Sequence, residues 1–125
     1  MAEPELPPVD VSGLLELRRR QPEGKPDGVG RVVRAFLDES AQRLATLDRA
    51  AEAGDRQQIR SAAHALKGIA GTVGANEMHA LAVRLERIGR EGRAQDAPQL
   101  VKELQLAFGR ARPVFERVLN TPRSA

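Results

Sequence analysis

The sequence predicts an all-α fold: an antiparallel up-down four-helix bundle with an additional short N-terminal helix. Three observations lead there. Apolar residues recur at three- and four-residue spacing through four long segments, the pattern of a helix with one buried face. Apolar residues make up 41% of the chain and aromatics only 2%, so the core must be mainly Leu, Val and Ala, a composition that favours helices over sheets. The links between segments are also so short that consecutive helices must be antiparallel neighbours. At 125 residues the chain is one domain, large enough to bury about two-thirds of its unfolded surface.

Residues 1–8 are expected to form a disordered tail, 9–120 the bundle, and 121–125 a second tail. Asp10 can cap a short helix carrying Val11, Leu14, Leu15 and Leu17, which fades at Arg18-Arg19-Arg20. That basic triplet suits the negative end of the helix dipole. After a Pro- and Gly-rich loop, Asp27 is a reasonable N-cap for a long helix to about Ala53, with Val29, Val33, Phe36, Ser40, Leu44, Leu47 and Ala51 as its buried stripe. Gly54 ends it, and Asp55 with Gln58 has capping-box spacing for the next helix, Arg56 to about Val73. Gly74 breaks that helix. A fourth, about Asn76–Arg90, carries Met78, Leu81, Leu85 and Ile88 and closes at Gly92. Asp96 should cap the last helix, Ala97 to about Leu119, with Pro98 in its tolerant first turn. There Leu100, Leu104, Phe108, Ala111, Phe115 and Val118 face inward, and Pro113 predicts a kink or break near residues 109–113.

Several function classes drop out early. The formal charge is only +3; the pI near 10.2 reflects late-titrating arginine. Basic residues are spread along the helices without interleaved aromatics, so nucleic acid is not an expected partner. The start, MAEPELPP, lacks the basic and apolar regions of a signal peptide. No apolar run of about 18 residues exists to span a membrane, and a cytoplasmic location is expected. With no cysteine there is neither a disulfide framework nor a thiolate metal site.

The chemistry concentrates in Ser61–Ala75, SAAHALKGIAGTVGA. On a helix, Ile59, Ala62, Ala63, Leu66, Ile69, Ala70 and Val73 form the core stripe, and His64 lies well off it. Arg60, Gly68 and Gly71 fall within about 40° of the histidine's direction, and Ser61 and Lys67 about 60° away. Two glycines, each costing roughly 1 kcal/mol in a helix, suggest that something bulky must reach the ring. Only Lys25, Lys67 and Lys102 of the 20 basic residues are lysines. A flexible point charge at Lys67 suits a phosphoryl group that arrives and leaves, where arginine would clamp it. An exposed neutral imidazole is nucleophilic near neutral pH, so transient phosphorylation of His64 is the chemistry suggested. The run GIAGTVG is not a nucleotide loop, since no Gly-Lys-Ser/Thr ending or preceding strand accompanies it. His79 is expected to be a surface residue on the fourth helix. No further ligands make a metal pair of it with His64.

His64-Ala-Leu-Lys67-Gly68 followed by Gly74-Ala75 resembles the H-x-L-K-G…G-A signature of histidine-containing phosphotransfer (HPt) domains. Phe36-Leu37, Gly54-Asp55 and Leu85-Glu86 with Gly92 fit the same family pattern, so the resemblance runs from about Val9 to Leu119. Ile69 departs from it, where a small residue is usual; the position points partly inward, and altered packing is expected. The resemblance implies a helical bundle that takes a phosphoryl group on His64 from a receiver-domain aspartate and passes it to a second receiver. Lys67 would balance charge, and Gly68 would let the partner approach, with Arg60, Ser61 and Gly71 on the same docking face. Glu86 stands where, in chemotaxis-kinase domains of this type, a glutamate orients the histidine ring; a surface ion pair with Arg90 is the plainer alternative. The expected partners are response-regulator receivers and a sensor or hybrid histidine kinase. The chain is expected to be a monomeric phosphocarrier without autonomous turnover, needing no cofactor, with Mg²⁺ on the receiver alone. Two rival readings remain: a helical interaction or scaffold module that transfers nothing, and the phosphorylatable domain of a chemotaxis-type kinase.

Overall fold

Burying four amphipathic helices against one another orders the chain, and the computed structural model describes it over residues 6–123. Five α-helices follow in sequence: α1 (Ser12–Arg20), α2 (Gly28–Ala53), α3 (Arg56–Val73), α4 (Asn76–Glu91) and α5 (Ala97–Asn120), with a single 3₁₀ turn, Ala94–Asp96, leading into α5. Among the described residues there is no strand. α2 packs on α3 and α5, α4 packs on α3 and α5, and α1 lies against α2. The result is the four-helix bundle with one short extra helix that the sequence predicts.

Every residue of the expected α2 stripe is buried, and so is the stripe of α3 except Ile69, which is half-buried against the core. The three phenylalanines meet at one place: Phe36 stacks on Phe115 with ring centroids 4.6 Å apart and meets Phe108 edge-on at 6.3 Å. Helices α2, α3 and α4 end alike. The amide two residues past each helix returns to the carbonyl five residues earlier: Asp55 to Ala50, Ala75 to Ala70, Arg93 to Ile88. At Gly74 this closure needs φ of +85°, and the Asp10 carbonyl comes so near that a Cβ would lie 2.0 Å from it. No side chain fits there.

The structure corrects several expectations. Pro7 and Pro8, placed in a free tail, bond instead to the start of α4: Glu77 N–H donates to the Pro8 carbonyl at 3.0 Å and the Asn76 side chain to that of Pro7 at 3.0 Å. Thr121 and Arg123 are likewise bonded to α1 and the loop after it. Residues 1–5 and 124–125 of the expected tails lie outside the described residues. Asp96 does not cap α5; its carboxylate accepts from Arg93. Asp55 accepts from Gln58 N–H at 3.1 Å, one half of the capping box. α5 runs unbroken through Pro113. Gly109 and Pro113 both lie on its exposed side, where water can take the carbonyl that proline leaves without a donor.

The basic triplet is not uniform. Arg19 and Arg20 pair with Glu16 at the surface, whereas Arg18 is 5% exposed. Its guanidinium donates to both oxygens of Asp27 at 2.9 Å and to the carbonyls of Leu119 and Thr121. One side chain thus ties α1 to the start of α2 and the end of α5. Hydrogen bonds from the Gln21 amide first, then from Gly30 N–H, and the nearby Arg18, hold the Asp27 carboxyl far below the ordinary carboxylate range. A depressed folded-state pKa stabilises the fold fully above the unfolded value, about 3.9, and that stability drains away as pH falls below it. Asp27→Asn keeps the cap but leaves Arg18 buried without its counter-charge, so denaturation at pH 7 should show a loss of about 3 kcal/mol. The gap between variant and wild type should narrow as pH is lowered from 5 towards 2. A gap that holds constant over that range would mean the Asp27 charge does not support the fold.

Candidate functional site

His64 sits on the open side of α3 with 69% of its side chain exposed, as its place off the core stripe dictates. Its Nδ1 lies 3.0 Å from Glu86 Oε1, contributed by α4. The other carboxylate oxygen is 2.7 Å from Lys67 Nζ, one turn beyond the histidine. Glu86 therefore faces α3 and takes His64 and Lys67 together, in place of an ion pair with Arg90. Hydrogen bonding from Lys67, and then from His64, holds the Glu86 carboxyl below its ordinary value, against the opposing effect of partial burial. It is a carboxylate at neutral pH, and a carboxylate only accepts. Nδ1 consequently carries the proton and donates it, which leaves the lone pair of the neutral ring on Nε2. Among the described residues Nε2 has no protein partner.

A residue the sequence reading did not single out makes this possible. Gly89, one turn past Glu86, is buried against α3. A Cβ there would come 2.8 Å from the Arg60 nitrogen and 2.9 Å from the Arg56 oxygen, both backbone atoms that cannot yield cheaply. The helices touch backbone to backbone at that point, which brings the Glu86 carboxylate within reach of the ring. An apolar i, i+3, i+4 pattern ending Leu85, Ile88, Gly89 was the available signal.

The other predicted site residues divide. Arg60, Ser61 and Gly68 are exposed beside the histidine. Gln57, Arg60, Ser61, His64 and Glu86 line an open concavity of about 300 Å³. A side chain at Gly68 would meet nothing within 4 Å, so this glycine faces open space and no packing contact requires it. Gly71 differs. A Cβ there would lie 3.0 Å from His79 Nδ1, so its bareness makes room for that ring. His79 itself is half-buried, with Nδ1 donating to the Lys67 carbonyl at 3.0 Å; the expectation of a plain surface residue is corrected. Its role here is to brace the helix turn that carries Lys67. Among the described residues no cluster of His, Asp or Glu could hold a metal ion.

On the far side of Gly68 lies an apolar groove lined by Leu14, Leu17, Val29, Val32 and Thr72, where α1, α2 and α3 meet. Leu17 is 57% and Val32 41% exposed. Sequence reasoning grouped Leu17 with the other apolar residues of α1 and passed over Val32, an apolar residue off the α2 stripe.

A family model described as the Hpt domain matches residues 31–113, and the chain belongs to that family. It is 38% identical over 66 residues to histidine-containing phosphotransfer protein 5 of Arabidopsis thaliana; the match covers 50% of this chain and 42% of that protein, less than half its length. The crystal structure of histidine-containing phosphotransfer protein B (HptB) from Pseudomonas aeruginosa PAO1 superposes with a TM-score of 0.79 at 28% identity, covering 93% of this chain and 97% of that one. No helix among the described residues is long and apolar enough to cross a membrane.

Glu86→Ala tests the tautomer assignment. Ring ¹⁵N shifts of His64 at alkaline pH should show Nδ1–H in the wild type and a mixture weighted toward Nε2–H in the variant. Reaction of His64 with a small phosphoramidate donor should slow several-fold, within the range that orienting a reacting group supplies. Unchanged ¹⁵N shifts would show that the carboxylate does not set the ring.

Proposed function

We propose that this chain is a phosphocarrier of a two-component phosphorelay, accepting a phosphoryl group on His64 from a receiver-domain aspartate and passing it to another receiver. The observation that carries this reading is an exposed imidazole whose Nδ1 is held by a carboxylate and whose Nε2 is unpartnered. In the forward step the Nε2 lone pair attacks phosphorus. The bond between phosphorus and the aspartyl oxygen breaks, and the partner's carboxylate leaves with that electron pair. The Nδ1 proton stays between ring and Glu86, which stabilises the positive charge developing on the imidazole. Lys67, one turn away on a flexible stem, is placed to meet phosphoryl oxygens. The reverse sequence on a second receiver restores His64, so the chain turns over only by handing its cargo on.

The receivers, and upstream of them a sensor or hybrid histidine kinase, are the partners of this reading. Mg²⁺ belongs to the receiver's own carboxylates, and no cofactor is assigned to this chain, which acts as a monomer. Docking would use the exposed Gly68 with the apolar groove of Leu17 and Val32 beside it. Transfer then rests on positioning and electrostatic stabilisation. The His64–Glu86 bond also favours a second reading, the phosphorylatable domain of a chemotaxis-type kinase, in which the donor is ATP through a kinase domain. Incubation with phosphorylated receivers in one arm, and with ATP and a histidine-kinase catalytic domain in the other, separates the two.

In the first arm an acid-labile, base-stable label should appear on this chain. His64→Gln should abolish it while melting shifts by no more than about 0.5 kcal/mol, as befits an exposed side chain. Label retained on His64→Gln would place the chemistry elsewhere.

Gly68→Gln tests the docking face. Glutamine is the better helix former by several tenths of a kcal/mol, and open space surrounds the position, so the variant should melt no lower than wild type. At the interface the added side chain displaces the partner, and about 1 Å of misplacement can cost roughly 100-fold. Receiver-dependent transfer should fall by that order while reaction with phosphoramidate persists. Normal transfer in this variant would remove Gly68 from the interface.

A further inference from the structure

The surroundings of His64 are polarised along α3. Toward the α3 C-terminus lies the apolar groove at Leu17, Val32 and Thr72. Toward the α3 N-terminus, a second groove of about 300 Å³ runs between α2 and α3, lined by Arg43, Thr46, Arg49, Gln58, Ser61 and Ala62. It meets the His64 concavity at Ser61, which lines both, and Arg60 also lines that concavity. Arg43, Arg49 and Arg60 are exposed, and among the described residues none of the three forms an ion pair. Among the described residues no acidic side chain of α2 (Asp38, Glu39, Asp48 or Glu52) is within ion-pair distance of them, nor is Asp55. By contrast Arg18, Arg19, Arg20, Arg93, Arg110 and Arg112 each have a carboxylate partner. Glu86, the carboxylate that lines the His64 concavity, is taken up by Lys67 and His64.

We propose that the Arg43–Arg49 groove, together with Arg60 in the adjoining concavity, is an electrostatic seat for the acidic rim around a receiver's phospho-aspartate, steering that partner onto His64. This deepens the phosphorelay reading and rests on it. The argument is charge complementarity. A donor that presents an aspartyl phosphate among the carboxylates that hold its divalent cation is strongly negative where it must touch this chain. Unpaired guanidiniums beside the nucleophile attract that surface before contact. The apolar groove at the other end supplies the contact itself. Charges so placed act mainly on encounter rate, and they do so in proportion to how little salt screens them.

Arg43→Gln/Arg49→Gln tests the seat, with Lys102→Gln on α5 as a control of equal charge type outside the grooves. The probes are purified receiver domains loaded with acetyl phosphate, and transfer is followed by rapid quench. At about 0.01 M salt, where the screening length is about 30 Å, kcat/KM of the double variant should fall roughly 5- to 10-fold, within the range that steering provides. The rate at saturating receiver should change far less. At about 1 M salt, where screening acts within about 3 Å, variant and wild type should converge. Arg43→Glu/Arg49→Glu should widen the low-salt gap further. Helical circular dichroism confirms that each variant is folded. Wild-type kcat/KM at low salt in the double glutamine variant would overturn the seat and leave the phosphorelay reading standing, as would a deficit that salt does not remove. If no loaded receiver transfers to the wild-type chain while phosphoramidate still labels His64, both fall together.

Discussion

The site depends on one contact, the approach of α3 and α4 backbone to backbone at Gly89. Helices that carry ordinary side chains at their crossing stand about 8–10 Å apart, and a glutamate on one then reaches a histidine on the other only by chance of rotamer. With Gly89 seated on the Arg56–Arg60 turn, the carboxylate one turn earlier is delivered to the ring edge at hydrogen-bonding distance. The same approach sets Lys67 against the second carboxylate oxygen. His79 repeats the device about three turns along, filling the space left by Gly71 and bonding to the Lys67 carbonyl. Two glycines, one from each helix, thus fix the relation of the two helices that build the site. Overpacking either one would act on the histidine through the backbone.

The remaining elements hold a surface in place around that pair. α1 packs lightly, yet Arg18 anchors it to the α2 cap and the end of α5 with four hydrogen bonds. That anchoring presents Leu17 beside Val32 without either being buried. The core beneath is mainly Leu, Val and Ala packed around the phenylalanines, and His64 and Gly68 on the open face of α3 take no part in it.

Most of the fold was legible because it follows from local rules. The bounds of α3 come directly from Asp55, which caps it, and Gly74, which alone can take its terminal conformation. The α2 stripe follows from periodicity. His64, Lys67 and Gly68 were legible because their directions on one helix decide their exposure. What was not legible depends on two helices at once. The length of a glutamate side chain does not say whether Glu86 meets Arg90 on its own helix or His64 on another; Gly89 decides it. Arg18 looked like its neighbours Arg19 and Arg20 because burial of a charge depends on the distant carbonyls of Leu119 and Thr121. Pro113 looked disruptive because the sequence does not reveal that its lost bond faces water.

The Glu86 carboxylate has a second consequence, for the loaded state. It prepares the ring by holding Nδ1–H, but it is also a fixed negative charge beside the place where a phosphoryl group brings nearly two more. Lys67 is then one cation with two claimants, the carboxylate and the phosphoryl oxygens. At about 6 Å the repulsion between two unit charges runs from about 1 kcal/mol in water to about 3 kcal/mol at a protein surface. In the proposed relay this repulsion works against the stabilisation that Glu86 gives the ring through Nδ1–H, so the carboxylate would limit how firmly the phosphoryl group is held. An intermediate that must surrender its group to an aspartate, whose acyl phosphate is itself high in energy, gains from such discomfort. A more hospitable pocket would turn the relay's middle station into its terminus.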